Sequence, residues 1–507
     1  MTAPAHPGQE APDGRRVLFT TPYRLKDPRL YGDTYDYPRF YQRRLLHTSG
    51  RRGGAAGLRF LRFNLPFVRI LEFPTWREWM EALRSEQWDA IGFSFYTNEV
   101  PEVVEMARAA RAVHPGVELW AGNYGAQTPG VEEVFDEMFI GYAEAEVGRR
   151  LGASLKEVRH PPLVGFTAFS GWKIIPTGVL YVTRGCAVGC TFCQTTFFQP
   201  KPEAVSLDSV RAVVEYYRAL GIRKVVILDE FFGAVPKQAE AVIDLLHANG
   251  MKWRPQTRPN YLHKHLDDWA ERGLSGCFIG IESFDDAVLR DWQKGYRGAS
   301  QNLDLIRRLQ ERSMVITGYY IIGHESQDRA RIKEELKFLR TLRLDTTQLN
   351  ILTPLPATDS WREIEARFGI SETDWHLWDN HHLVWNHPKV PKAEMEELLH
   401  WGLRHCHPNT GVVRTWIKSL QGFGGSYRGG LRFYLESALQ AQRISYDQVN
   451  LFGGPRGLAS EMRNLWPSRD EPLRFREPAG YAGSHSTRRA GYFVNSSLLS
   501  LPRRPGR

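Results

Sequence analysis

Thr183-Arg184-Gly185-Cys186-Ala187-Val188-Gly189-Cys190-Thr191-Phe192-Cys193 places three of the chain's five cysteines within eight residues, at the end of a strand predicted over Leu180–Arg184. Thiolates this close together usually share a metal. Structural zinc wants four closed ligands, whereas an iron–sulfur cubane takes one thiolate per iron. No fourth ligand stands in a paired motif nearby. His405-Cys406-His407 lies more than 200 residues away and reads as a solvent-facing helix end. A cubane held by three cysteines leaves one iron open to substrate or cofactor.

Downstream of the triplet, apolar runs predict strands at Lys224–Asp229, Trp253–Thr257, Cys277–Glu282, Val315–Ile322 and Thr347–Thr353. Helical periodicity falls between them at Leu207–Leu220, Lys237–Ala248, Asn302–Gln310 and Ala330–Leu342. Six successive β-α units predict a (β/α)6 partial TIM barrel over residues 178–361, whose functional loops follow the strands. The cysteine loop is the first of these.

Upstream, Val17-Leu18-Phe19-Thr20, Asp89–Phe95, Val117–Asn123 and Met138–Tyr142 read as strands. A helix is predicted over Val100–Val113, and a short one ends near Leu151. The alternation predicts a doubly wound, Rossmann-like α/β domain over residues 15–155, with ligands at the carboxyl ends of its strands. A Pro- and Gly-rich linker is expected over 156–177. Beyond Trp361 the chain turns helical and aromatic, with Trp375, Trp378, Trp385 and Trp401, and predicts a small third unit over 362–465 with helices near Ala393–Cys406 and Gly429–Gln442. Residues 1–14 and 466–507 are expected to be disordered.

The 507 residues carry a net charge of +9, but from Arg469 onward eight Arg face only Asp470, Glu471 and Glu477. The excess charge therefore concentrates in the tail, and no nucleic-acid partner is expected. No run of about 18 apolar residues predicts a transmembrane segment. The first ten residues lack the apolar core of a secretory signal, and Cys277 and Cys406 read as isolated buried thiols, so a reducing, cytoplasmic setting is the expectation.

C-x3-C-x-aromatic-C after the first strand of a β-α barrel resembles the motif of the radical S-adenosylmethionine (radical SAM) enzymes. Leu228-Asp229-Glu230 resembles the family element that contacts the methionyl amine. Gly280-Ile281-Glu282-Ser283 resembles the segment that reaches ribose and carboxylate, Gly318 to Gly323 the adenine-binding segment, and Leu352-Thr353-Pro354-Leu355-Pro356 the close of the sixth strand. The resemblance implies that Cys186, Cys190 and Cys193 hold a [4Fe-4S] cluster whose open iron chelates SAM, with Phe192 near the adenine. Asp229, Glu230, Glu282, Ser283 and Gly323 would line the SAM site. Arg258, at the third strand end, is a candidate carboxylate partner, because a guanidinium binds carboxylates bidentately. Reductive cleavage of SAM to a 5′-deoxyadenosyl radical would draw its electron from a donor such as flavodoxin or ferredoxin.

Residues Asp89–Phe95, the helix after them, and Ala121-Gly122-Asn123-Tyr124-Gly125-Ala126-Gln127-Thr128 resemble the cobalamin-binding domain that precedes the barrel in one radical SAM subclass. Ala143-Glu144-Ala145-Glu146 is similar to the Gly-Glu-Gly-Glu found there. The resemblance implies a cobalamin site drawing on Ser94, Gly122, Asn123, Gly125 and Thr128. No Asp-x-His-x-x-Gly follows the first strand, so no lower axial histidine is named. The activity implied is methylation of an unactivated carbon in a small-molecule or lipid-like substrate, with a second SAM supplying the methyl group. Radical cyclisation or rearrangement without methyl transfer is the alternative. An RNA methylthiotransferase shares the barrel, but the extra N-terminal cysteine triplet of that group is absent.

Overall fold

Ala90, Ile91, Gly92 and Phe93 are all buried, as are Leu119, Trp120 and Ala121, so the strands they form are covered on both faces, as a parallel sheet between helices requires. The computed structural model describes residues 10–23, 48–51, 55–74, 76–169, 172–294, 298–406 and a few residues between 414 and 439. In chain order the strands are β1 (Val17–Thr20), β2 (Thr48–Arg51), β3 (Arg69–Leu71), β4 (Ala90–Ser94), β5 (Glu118–Gly122), β6 (Glu137–Phe139), β7 (Leu163–Phe169), β8 (Trp172–Leu180), β9 (Thr183–Arg184), β10 (Glu203–Ala204), β11 (Lys224–Ile227), β12 (Lys252–Thr257), β13 (Gly276–Glu282), β14 (Val315–Ile322) and β15 (Thr346–Ile351).

The first sheet is fully parallel in the order β3-β1-β4-β5-β6. Its strand order reverses between β1 and β4, where an open α/β sheet leaves a crevice for a ligand. The helix Val100–Val113 forms as expected and buries Val103, Val104, Met106, Ala107 and Ala110. β3 was not foreseen: three residues, only the middle one buried, carry too little pattern to read. Residues 10–14 are ordered rather than disordered, forming a turn whose Ala11 packs into the core with Val17.

The second sheet runs β15-β14-β13-β12-β11-β8-β7-β2. Its six strands from β8 to β15 are parallel and alternate with helices, an open partial barrel. The stretch expected to be a linker instead supplies β7 and β8, an antiparallel hairpin that extends the barrel sheet toward β2. Its Gly and Pro residues misled; Pro176 sits inside β8, opposite Phe166, while the flanking residues alternate as a strand. The first barrel strand is thus β8, ending at Leu180, not Leu180–Arg184. β9 pairs only with β10, as a clip closing the cysteine loop at its base.

The C-terminal aromatic segment is not a separate core. Trp378, Trp385, Met395, Leu398 and Leu399 belong to the barrel's own hydrophobic cluster, and the helix Lys392–Cys406 packs on β15 and on the helix Arg329–Thr341. This covers the last strand of an open barrel, which would otherwise present an edge. Cys277 and Cys406 are buried, as expected. The helix expected at Gly429–Gln442 is described at five positions, all helical. Residues 1–9 and the basic tail lie outside the described residues.

Candidate active site

The cysteine loop is built by its neighbours. Gly185 and Gly189 take left-handed φ angles of +95° and +84°, which let the chain reverse twice between β9 and Cys190. Cys186 N donates to Gln199 O at 3.0 Å, Thr191 N to Trp292 O at 3.2 Å, and Cys193 N to Cys190 O at 3.1 Å. The Asp229 carboxylate, fully buried, accepts from Val182 N at 2.7 Å and Thr183 N at 2.9 Å, and Glu230 accepts from Gly185 N at 2.9 Å and from the Tyr142 hydroxyl. Two adjacent carboxylates at the end of β11 therefore hold the approach to the first cysteine.

All three thiols are free. Burial pushes the Cys190 thiol up to about 11, against the nearby positive charge of Lys294, and burial also raises Cys186. Cations facing buried thiols suit ligation as thiolates. Among the described residues, no group of three or more His, Cys, Asp or Glu side chains converges to hold a single metal ion. The triplet thus forms no closed mononuclear site, and an all-thiolate donor set of three fits a cluster that takes one thiolate per iron.

The carboxyl ends of both parallel sheets open onto one cavity of about 640 Å³. On the first-sheet side it is lined by Thr21, Ser94, Gly122 and Asn123, with Thr21 and Ser94 flanking the point where strand order reverses. On the barrel side stand Phe192, Cys193, Glu230 and Glu282, with Gln256, Tyr319, Gln348 and Asn350. A Cβ at Gly122 would come no closer than 3.8 Å to any neighbour, so the backbone there leaves an open cradle for a bulky ligand.

The two sides are stitched together beside the cysteine loop. Arg184 makes a buried bidentate pair with Glu144, at 2.6 and 3.1 Å, and its guanidinium lies 4.2 Å from the Tyr142 ring centroid. The Tyr124 hydroxyl shares a 2.8 Å hydrogen bond with Thr195, and its ring lies 4.6 Å from that of Phe198. Burial and the charge of Glu230 keep the Tyr142 phenol well above its ordinary range, so it remains a donor to that carboxylate.

Not every expected residue reaches the cavity. Asp229 is absent from the cavity lining, with both oxygens engaged by backbone N–H groups that lead into the cysteine loop, and burial holds its carboxyl well above the usual range. Ser283 is fully buried, accepts from Asp285 N at 3.0 Å and stays in the wall. Gly323 turns with φ +87° against Met395 and hydrogen-bonds Gln327, away from the cavity. Arg258 donates to the Lys294 carbonyl and lies 5.8 Å from the Phe231 ring centroid. Gly125 is glycine because a Cβ would sit 2.3 Å from the Phe95 ring, and Thr128 is buried against Thr97; both serve the first sheet's own packing. Glu282 does face the cavity, held by Lys294 Nζ at 2.7 Å, and Phe192 packs 5.4 Å from Trp292. Arg184, Tyr142 and Tyr124 carried no signal in the sequence because their partners are 40, 88 and 71 residues away. Gln256, Tyr319, Gln348 and Asn350 carried one usable signal, the alternation of inward residues along a strand.

A thiol triplet at the first strand end of an open β/α barrel, joined at its mouth to a doubly wound sheet, defines a two-sheet α/β fold whose strand ends share one cavity. Residues 180–339, about a third of the chain, match the model of the Radical SAM superfamily. Bacteriochlorophyllide d C-12(1)-methyltransferase of Chlorobaculum tepidum is 27% identical over 253 residues, 48% of this chain and 53% of its own length. Hopanoid C-3 methylase of Methylococcus capsulatus is 21% identical over 357 residues, 62% of this chain and 66% of its own. The match thus spans about half the length of the first of these relatives. The radical S-adenosylmethionine methyltransferase TsrM of Kitasatospora setae, solved with cobalamin and a [4Fe-4S] cluster, shares the fold with a TM-score of 0.57 at 14% identity, over 85% of this chain and 99% of that one.

Proposed function

We propose that this protein is a cobalamin-dependent radical SAM methyltransferase that methylates an unactivated carbon of a small-molecule or lipid-like substrate. One observation carries the reading: the cysteine loop and the open cradle at Gly122 face each other across a single cavity. Both relatives' names describe methylation at a numbered carbon, of a bacteriochlorophyllide and of a hopanoid, which supports the reaction and the substrate class.

Cys186, Cys190 and Cys193 would hold the [4Fe-4S] cluster, and Ser94, Gly122 and Asn123 would receive cobalamin. When bound, the cluster and SAM supply a 5′-deoxyadenosyl radical and cobalamin a transferable methyl group. The chain's own residues do the rest. Glu230 and Glu282 present carboxylate acceptors beside Cys193, suited to an amine or ribose hydroxyls of SAM, and Phe192 gives its adenine an apolar surface. Tyr96 and Tyr124, stacked at 6.0 Å, and Phe198 close the seam between the two sheets and keep water from the reacting atoms. A flavodoxin- or ferredoxin-type protein supplies the electron.

Anaerobic reconstitution tests the reading. The protein should take up about four irons per chain, bind hydroxocobalamin with a corrinoid spectrum, and pass label from methyl-labelled SAM into product. Cys190→Ala should lose the iron. Full iron uptake by that variant removes the cluster assignment, and product without label replaces methyl transfer with radical rearrangement.

A further inference from the structure

The inward-facing positions of β12, β14 and β15 break a habit of barrels. Such positions are usually filled with branched aliphatics that pack the interior. Here Gln256, Tyr319, Gln348 and Asn350 face the cavity, three carboxamides and a phenol. Tyr319 and Gln348 are directly opposed in the register of β14 and β15, and Ile321 and Asn350 are opposed one layer nearer the mouth. The Tyr319 hydroxyl reaches across β13 to donate to Gln256 Oε1 at 3.2 Å. The side-chain amides of Gln348 and Asn350 make no hydrogen bond to any described protein group, although the residues on either side of them are buried. Each amide offers a donor and an acceptor to whatever fills the cavity, and polar groups in enclosed sites are satisfied by a partner.

The charges around this floor decide what that partner is. Arg184 is the only cation among the described cavity residues, and its guanidinium is engaged by Glu144. Against it stand Glu99, Glu230 and Glu282, the last paired with Lys294. At this floor, away from the positions proposed for the two cofactors, a substrate carboxylate or phosphate would lose its water, find no unpaired cation among the described lining residues and meet carboxylates.

We infer that Gln256, Tyr319, Gln348 and Asn350 form a substrate-reading floor for an uncharged molecule that carries adjacent hydrogen-bond donor and acceptor atoms, such as a carboxamide, a lactam or a nitrogen heterocycle, and that this floor rejects anions. The inference rests on the cavity being the reaction chamber proposed above. It adds to an apolar substrate body a neutral polar edge that sets which carbon is presented.

The test uses the full chain, reconstituted anaerobically with iron, sulfide, hydroxocobalamin and S-adenosylhomocysteine, and a matched pair of probes, benzamide and benzoate, in equilibrium dialysis. Benzamide should bind at least tenfold more tightly than benzoate. Gln348→Leu with Asn350→Leu should erase that preference, and the nearly isosteric Gln348→Glu, which exchanges a donor for an acceptor, should weaken benzamide at least fivefold. Iron content and corrinoid absorbance of each variant report separately on folding and on the chamber itself. Equal or better binding of benzoate, binding of neither probe, or an undiminished preference in the variants overturns the inference while leaving the chamber standing. Variants that keep the preference for benzamide but lose corrinoid or S-adenosylhomocysteine would assign these amides to a cofactor and overturn it as well. A wild-type protein that takes up neither iron nor corrinoid would remove the underlying reading instead.

Discussion

Asp229 supplies acceptors to two consecutive backbone N–H groups, Val182 and Thr183, from a position with no solvent access. Asp229→Ala would leave both donors buried without these partners, at about 1–3 kcal/mol each. The expected outcome is a loss of roughly 2–6 kcal/mol in urea unfolding and a fall of several-fold in iron uptake, because β9 leads straight into Cys186. Unchanged iron uptake would show that the loop holds its shape without this carboxylate. That Asp229 positions the loop while Glu230 faces the cavity was not legible in Leu228-Asp229-Glu230. Adjacent carboxylates project to opposite sides of an extended chain, and which side is the cavity depends on where β11 joins the sheet. The cysteines were legible because their chemistry lies in their spacing. Arg184 and Tyr142 were not, because theirs lies in contacts with residues 40 and 88 positions away in the chain.

Between elements, the structure is held by charge pairs that cross from one sheet to the other. Glu144 opens the helix Glu144–Arg150 of the first unit, and Arg184 ends β9 of the second. Both are 4% exposed, so Glu144→Gln would strand a guanidinium in a dry seam at about 3–5 kcal/mol. Glu144→Met with Arg184→Met should recover most of that, since two apolar chains satisfy the seam that one unpaired charge does not. Chemical denaturation of the two singles and the double measures the coupling; additive losses would show that the pair contributes nothing as a pair.

A second crossing joins His376 to Glu102 of the helix Val100–Val113 at 2.9 Å, and to Asp374 at 3.2 Å. Burial alone would lower this imidazole, but the two carboxylates outweigh it and hold His376 at about 9. A folded value above the unfolded one, near 6.5, gives stability that is complete below pH 6.5 and disappears as pH rises through 9, up to about 3 kcal/mol. One turn along the same helix, burial raises Glu105 to about 7, with Tyr23 hydrogen-bonded to it and Glu102 and Arg108 nearby. A carboxyl raised in the folded state costs stability as pH rises from its unfolded value toward 7, so both groups act in one direction. Urea midpoints should therefore fall from pH 6 to pH 9.5, and His376→Gln should abolish the part of the fall above pH 7. A wild-type midpoint that is flat over that range would count against the charged imidazole.

Over the whole molecule, two separate parallel sheets become one site because both aim their carboxyl strand ends at the same cavity, and this explains what could be read in advance. The (β/α)6 barrel and the doubly wound sheet were legible from alternation, because strands covered on both faces leave continuous apolar runs. The hairpin of β7 and β8 was hidden by its glycines and prolines, and the C-terminal aromatics looked like a third core because sequence cannot show that they cover β15. Gly122 and Gly125 are the sharpest instance. They are identical in sequence, yet one borders an open cradle and the other is pressed against Phe95. A Cβ at position 122 would make only ordinary contacts, at 3.8 Å and beyond, and the residue lines the cavity, so a larger side chain there has the cavity beside it. Gly122→Leu should accordingly fold with stability within about 1 kcal/mol of wild type, keep its iron and lose corrinoid binding by tenfold or more. Hydroxocobalamin at a hundred times its Kd should stabilise the wild type by about 2.7 kcal/mol and leave Gly122→Leu unaffected. Gly125→Leu should instead lose stability with or without hydroxocobalamin, because its Cβ meets the Phe95 ring at 2.3 Å. If Gly122→Leu retains corrinoid absorbance and its thermal shift, the crevice between β1 and β4 is not where cobalamin sits, and the cavity's first-sheet wall serves the substrate alone.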